Sequence, residues 1–417
     1  MRNREGTRKF WKSSAVVLGL FVFWIVVFEL VLQVASHQVS AIDHITNRHP
    51  PQIQRFLFNQ QLELQGNPQW KEHDNRGFRN RAPLDRAAIV TLGDSHTYGL
   101  HVSAKHTWPV LLSQQLQQAV YNMGMPNYGP THNFTNLKVA LSLHPDIVLL
   151  GFYFGNDFYD SFHHVQSEKT LESFTSPSNL EAINVREAQG TIEKQSTTYF
   201  RLCRGQGEQE FLGVQATSSM RAYLSAHSRL YGLLRSAKKV VMSSIRQRKP
   251  LEQTLQTVKS DDFVYCSVFR GQSWKTILKA PYRNLALNDS DPRIRAGVDI
   301  AKSYMKRIKQ EVVAAGAEFV VVLFPTKENV FASRVFDLKG HTQMEELIHN
   351  EARLKAEMIH FFETHGIAFI DVLPQLRRSP NQPYFETEDG HPNESGHQII
   401  ASEVARVLER KMVVAQQ

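Results

Sequence analysis

Five short and almost wholly apolar runs constrain this chain more than any other feature. They are 87–92 (AAIVTL), 119–122 (AVYN), 146–154 (DIVLLGFYF), 318–324 (EFVVVLF) and 367–372 (IAFIDV). Each is too short for a buried helix, is rich in β-branched or aromatic residues and ends in turn residues, so each reads as a strand. A strand with no polar alternation is buried on both faces, which is the condition of a parallel sheet covered by helices. The intervening segments agree: 108–116, 136–143, 295–315, 341–365 and 394–411 have helical periodicity. The expected class is therefore α/β, a layered domain with a mostly parallel central sheet, over residues 86–412. Residues 160–290 break the rhythm. They are polar, rich in Ser, Gln and Thr, and clearly helical only over 219–247. A structureless connection of that length is improbable inside one domain, so an insertion or cap over the sheet edge is expected there.

The N-terminus adds a second constraint. Arg2, Arg4, Arg8, Lys9 and Lys12 precede an apolar run that begins near Ala15 and continues past Glu29 to about Ala35. A stretch of about 20 apolar residues suffices to cross a bilayer as one helix. The basic flank puts the N-terminus in the cytoplasm. The organisation expected is thus a basic cytoplasmic tail (1–13), a transmembrane anchor (14–36), a polar stalk (37–85) and an extracytoplasmic domain. Glu29 is explained by proximity to the outer interface, with pairing to another membrane helix as the alternative.

The net charge of +8 is partly this tail and partly a cluster at Lys238, Lys239, Arg246, Arg248 and Lys249. Neither accompanies a nucleic-acid fold signature, so no nucleic-acid partner is expected. Cys203 and Cys266 are the two cysteines; outside the cytoplasm they are one disulfide or two separate thiols. No His/Cys cluster has zinc-ligand spacing, and neither metal nor cofactor is expected.

In an open parallel sheet, chemistry gathers beyond the carboxyl ends of the strands. Gly93-Asp94-Ser95-His96 lies beyond the first run, Asn122 to Gly129 beyond the second and Gly155-Asn156-Asp157 beyond the third. Pro325 to Glu328 lies beyond the fourth, and the segment after the fifth contains Glu388-Asp389-Gly390-His391-Pro392-Asn393. Nucleophile, donor and base types thus converge on one rim. A serine at a strand-to-helix turn presents its hydroxyl, and its own N–H faces a developing oxyanion. It needs a base from elsewhere in the chain, and His391 with a carboxylate just before it supplies one. The Asn156 amide can donate to the same oxyanion.

At these residues the chain resembles the SGNH, or GDSL-like, hydrolase family, in its membrane-anchored extracytoplasmic branch. Gly93-Asp94-Ser95 with Tyr98-Gly99 matches the first block, His96 standing where the family name has Leu. Gly155-Asn156-Asp157 matches the third block and Asp389-Gly390-His391-Pro392-Asn393 the fifth. The resemblance spans about 75–160 and 295–410. It implies a three-layer α/β/α sandwich like that of flavodoxin, and acyl-ester chemistry with Ser95 as nucleophile and His391 as base. It also implies an oxyanion hole from Ser95 N–H, a second-block N–H and the Asn156 side chain. The second-block glycine is here Asn127, with Gly124 and Gly129 flanking it as alternative donors. Asp389 is the expected carboxylate, and Glu388, at the family's more common spacing, is the second choice.

The remaining polar residues are expected in ordinary roles. His96 reads as a wall residue, Asp94 as a turn acceptor, His397 as surface, and Lys327 with Glu328 as a pair at the rim. Tyr153, Phe154 and Tyr159 read as core packing before they read as a sugar subsite. The function expected is hydrolysis of acyl, most simply acetyl, esters of an envelope or exported polysaccharide through an acyl-Ser95 intermediate. The alternative is O-acyl transfer to such a glycan with the same residues, which would require a membrane-bound partner to deliver the acyl donor. A non-catalytic glycan-binding protein is the rival from another class.

Overall fold

The computed structural model describes residues 20–21, 23–35, 54–190, 192, 228–231, 233–234, 267–271, 273–334 and 342–415. Both cysteines, the basic cluster at 238–249 and most of the helix expected over 219–247 lie outside these residues. The chain forms two compact units, one from 1–54 with 214–250 and one from 55–213 with 251–417.

In the first unit, residues 23–35 are helical. Among the described residues no helix is long and apolar enough to cross a membrane, and the span expected over 14–36 falls partly outside them. Glu29 has a specific task. Its carboxylate accepts from the backbone N–H groups of Arg229 (2.6 Å) and Leu230 (2.9 Å) and from Ser228 Oγ (2.8 Å). The acid therefore satisfies the otherwise unpaired amides that open the helical turn at 229–231.

The second unit is built on a five-stranded parallel sheet of β3 (Ile89–Leu92), β4 (Val120–Asn122), β5 (Ile147–Tyr153), β8 (Glu318–Phe324) and β9 (Ala368–Asp371). Their spatial order is β4-β3-β5-β8-β9. In sheet terms this is 2-1-3-4-5, the flavodoxin-like order, whose strand direction of propagation reverses between β3 and β5. Register is held by long pairings such as Val148 with Phe319 and Tyr153 with Phe324. The apolar runs are buried along their length, Val90, Leu92, Leu149 and Val321 being fully enclosed. Helices cover both faces. Helix 108–116 packs with helix 394–415, and helix 292–314 packs with helices 157–167 and 130–135.

Two expectations about organisation change. From residue 55 onward the expected stalk is part of the body. β1 (Phe56–Asn59) and β2 (Glu63–Gly66) form a hairpin, and in the turns after it Asn67, His73, Asp74 and Arg79 are buried. Asp74 accepts from Tyr121 Oη (2.5 Å) and from the N–H groups of Arg76 and Phe78. Arg79, 2% exposed, donates to the carbonyls of Tyr98, Gly99 and Val102. A guanidinium has five donors and can be buried once enough carbonyls meet them; such an arrangement leaves no hydrophobic period in the sequence. The second change concerns 160–290. Residues 157–167 form a helix of the main body, and Phe162, Val165, Ile183 and Ile300 share a buried cluster. Among the described residues of this region, those from β6 (Ser267–Arg270) and β7 (Lys275–Leu278) to the helix Ala280–Leu287 contribute a covering for the sheet's rim.

Candidate active site

Ser95 opens a single helical turn directly after β3. Asp94 caps the turn by accepting His96 N–H at 2.8 Å, the structural task expected of it. The Ser95 backbone N–H, at the first position of the turn, meets no acceptor among the described residues. The second block packs on this turn at close range. Asn122 donates to Thr97 O (3.1 Å) and accepts Gly124 N–H (2.9 Å), while Met125 N–H reaches Gly93 O (3.0 Å). Gly124 must lack a side chain, because a Cβ there would lie 2.5 Å from Tyr98 N. Asn127 comes next in the left-handed region, φ 66°, a conformation that Asn tolerates well among non-glycine residues.

These contacts separate the three second-block donors. Gly124 N–H is already engaged by Asn122. Gly129 does not line the cavity in front of Ser95, whereas Asn127 does. Asn127 N–H has no acceptor among the described residues. Asn156 lines the same cavity. It does not cap its helix with its side chain; its Nδ2 donates to Asp160 Oδ2 at 2.7 Å. That bond uses one of the two amide hydrogens and leaves the second for a ligand. Burial and the nearby Asp94 charge push the carboxyls of Asp157 and Asp160 well above the ordinary range.

The base comes from the loop between residues 384 and 393. His391 Nε2 lies 2.9 Å from Ser95 Oγ, and its Nδ1 lies 2.8 Å from Asp389 Oδ1. The same carboxylate oxygen accepts the His391 backbone N–H at 2.8 Å. Asp389, and not Glu388, therefore meets the imidazole, although Glu388 also lines the cavity. An ionised carboxylate only accepts, so Nδ1 carries the hydrogen and Nε2 is left with a lone pair toward the serine. Burial by itself would raise the Asp389 pKa, but the adjacent His391 and His101 hold it well below the usual carboxylate range.

The loop has almost no regular structure, and buried side chains suspend it. Lys327 Nζ donates to the carbonyls of Phe385 (3.0 Å), Thr387 (2.6 Å) and Asp389 (2.9 Å). Thr276 Oγ1 lies 2.9 Å from Phe385 O and 3.1 Å from Thr387 O. Asn393 Nδ2 ties the loop's start to its end through Gln382 O and Tyr384 O. The expected Lys327–Glu328 pair is thus replaced. Lys327 serves the loop, and Glu328 accepts Lys279 N–H at 2.9 Å. Burial brings Lys327 down to about 7, against the attraction of Glu328 and Asp389.

His96 does not line the cavity as a wall residue would: it is 1% exposed, its ring 3.8 Å from that of Tyr153 and 5.0 Å from that of His391. Burial lowers its pKa, against the pull of Asp94, whose Oδ2 lies 3.2 Å from His96 Nδ1. His397 is not at the surface: it is fully buried, and its Nδ1 accepts Trp108 N–H at 3.2 Å. Its spacing to Ile400, Ala401 and Val404 places it on the buried face of the last helix, the signal that would have located it. Tyr153 lines the cavity, whereas Phe154 is core and Tyr159 packs on the smaller cluster.

Several site residues had no mark in the sequence. The cavity, about 230 Å³, is walled by Phe56 from the first hairpin and by Lys279, Tyr282 and Arg283 from the rim-covering segment. The Arg283 guanidinium, buried, stacks over Tyr153 (5.3 Å) and Tyr282 (4.8 Å). These positions lie in segments read as stalk and insertion, and only the tertiary fold brings them to the rim. His101, six residues beyond Ser95, approaches Asp389 Oδ2 at 3.0 Å. Among the described residues His101, Asp389 and His391 are also the one cluster whose donor atoms, within 4.8 Å of one another, have the chemistry to hold a metal. Asp389 is hydrogen-bonded to His391 and ion-paired with His101.

Residues 286–417 match the family model described as the SGNH hydrolase-like domain of acetyltransferase AlgX. No curated protein matches the chain. Among solved structures, a putative lipolytic protein of the G-D-S-L family from Desulfitobacterium hafniense is 11% identical. The match covers 76% of this chain and 98% of that one, with a TM-score of 0.34. An extracellular lipase from Streptomyces rimosus is 11% identical over 77% and 98% of the two chains, TM-score 0.35. A GDSL-like lipase from Bacteroides thetaiotaomicron is 8% identical over 78% and 88%, TM-score 0.32. Likeness at this level adds nothing to the strand order and site geometry, which carry the fold assignment themselves.

Proposed function

We propose, with the SGNH hydrolase-like character of the C-terminal segment as the premise, that this protein transfers acyl groups through Ser95. The observation that carries the reading is the unbroken relay Asp389–His391–Ser95, closed at 2.8 and 2.9 Å, in a cavity lined by Ser95, Asn127 and Asn156. Ser95 Oγ attacks the ester carbonyl and its proton passes to His391 Nε2. Negative charge developing on the carbonyl oxygen is met by the N–H groups of Ser95 and Asn127 and by the Asn156 amide. Donors fixed before the reaction are effective because they need no reorganisation, and each is worth about 10²–10³-fold in rate. Asp389 keeps the imidazole in the required tautomer and offsets the charge it gains. His391 then protonates the leaving alcohol, giving acyl-Ser95. A second hydroxyl, from water or from a sugar, reverses these steps.

The family description names an acetyltransferase, and this favours a sugar hydroxyl as the second acceptor. The basic N-terminus and the apolar run over 14–36 support an anchored protein facing an envelope or exported polysaccharide, with the acyl donor supplied by a membrane partner. Turnover of an aryl acetate by wild type, Ser95→Ala and His391→Ala tests the first half. Equal background in all three sinks it. Fluorophosphonate labelling of Ser95 reports its activation, and acetyl release measured with and without bare glycan separates hydrolysis from transfer. Removal of residues 1–38 should release a soluble domain; continued membrane association rules out a single N-terminal anchor.

A further inference from the structure

The carboxylate of Asp389 has two oxygens, and the relay to Ser95 uses one. Oδ1 accepts both the backbone N–H and the Nδ1–H of His391. This double use results from the short Asp-Gly-His spacing, which folds the side chain back on its own loop. Nothing in that loop restrains Oδ2, and a carboxylate pinned at one oxygen swings readily about its χ2 torsion. His101 Nε2 fills this place at 3.0 Å.

The turn that carries His101 is fixed by its surroundings, although the residue itself is exposed. It is a non-glycine residue at φ 70°, in the left-handed region that few non-glycine residues adopt, histidine more often than most. The turn carrying it is clamped from outside. Gly99 and Leu100 both donate to Ser95 O, and Arg79 donates to the carbonyls of Tyr98, Gly99 and Val102. The imidazole lies across that of His391, with ring centres 5.2 Å apart and planes at 60°, and edge-on to Phe385 at 6.3 Å. A residue in an unfavourable backbone conformation, clamped and aimed at a reacting group, is where positioning roles concentrate.

We propose that His101 is a positioning residue of the Ser95 relay, donating from Nε2 to Asp389 Oδ2 so that Oδ1 stays in line with His391 Nδ1. The inference rests on the acyl-transfer reading of the site. It links the buried segment around Arg79, through the turn at 98–102, to the base. His101 touches neither the ester nor Ser95, and its effect passes wholly through Asp389.

The test uses the full chain with aryl acetate as substrate and a fluorophosphonate as probe of Ser95. His101→Leu is expected to lower kcat and the labelling rate 10- to 100-fold, with KM within twofold of wild type. His101→Gln, whose amide can donate over a similar reach, is expected to recover kcat to within about threefold. In the Asp389→Asn background, His101→Leu should cause no further loss, because residues acting as one unit are not additive. Wild-type rates for H101L, or an equal loss in both backgrounds, overturns the proposal. If H101L does not fold, H101A is read by the same labelling comparison against H101Q. Ser95→Ala keeps the two levels apart: an inactive S95A with a fully active H101L defeats the role of His101 alone, and an active S95A defeats the acyl-transfer reading itself.

Discussion

The two halves of the site are made by different means. The Ser95 half is backbone architecture. A buried strand stops at Gly93, a helical turn begins at Ser95, and the Asn122–Asn127 segment packs on it so closely that Gly124 has no room for a Cβ. The His391 half is a loop with one isolated bridge, Tyr384 to Pro392, suspended by Lys327, Thr276 and Asn393 from distant parts of the chain. The nucleophile is thus placed by local sequence, and the base by contacts that exist only after folding. A covalent half-reaction needs both, because a displacement of about 1 Å from a mutation far from the chemistry can cost 10²-fold.

This contrast can be broken from either side. The largest effect is expected at Asn156→Ala, which removes a donor held by the rigid half. The kcat for aryl acetate should fall about 10²–10³-fold with the melting temperature nearly unchanged, and steady-state kinetics beside a thermal melt checks it. In the suspended half, Lys327→Met removes a donor from three loop carbonyls, of which the single Thr276 hydroxyl hydrogen can still serve one. Each buried orphan costs about 1–3 kcal/mol, so stability and kcat should fall together, and amide exchange should rise across 384–391. Thr276→Val, which shares two of the same carbonyls with Lys327, should show the same pattern more weakly. A loop that stays protected in both variants would mean that it is locally stable after all.

His397 joins the halves, since it lies on the last helix beyond the base loop and accepts the amide of Trp108 beyond Ser95. Burial lowers its pKa to about 3 from the ordinary 6.5. Between these values the unfolded chain binds a proton that the folded chain does not, so folding weakens as pH drops below about 6.5, and the penalty stops growing below about 3. His73, lowered by burial to about 4, acts in the same direction. His397→Gln keeps an acceptor without a titration and should lose less stability between pH 6.5 and 5 in denaturant melts; an unchanged slope would remove His397 as a source of acid lability. The smallest effect is expected at Asn127→Gly. If the backbone N–H is the donor, activity stays within about threefold, since glycine adopts φ 66° more easily. A large loss would assign the role to the side chain.

The sheet was legible because a strand buried on both faces has to be apolar throughout, and the five runs at 87–92, 119–122, 146–154, 318–324 and 367–372 have few other solutions. Ser95 and Asn156 were legible for the same reason, each lying just past the end of such a run. His397 was open to the same reading, through its spacing to Ile400 and Val404. The buried role of 55–85 was not legible. Asp74, Arg79 and His73 look like solvated linker residues until Tyr121, Tyr98 and the carbonyls of the 98–102 turn close around them.

The sequence by itself determined the order of strands and helices, the rim on which chemistry gathers, and the residue types that meet there. Those properties derive from local geometry and from burial of apolar runs, both written residue by residue. Tertiary structure decided which carboxylate meets His391, which N–H of the second block remains unengaged, and what holds the base loop in place. These are hydrogen-bond assignments between segments up to some 300 residues apart, such as His391 to Ser95. A polar group's partner is fixed by position in space, on which its neighbours in the chain carry no information.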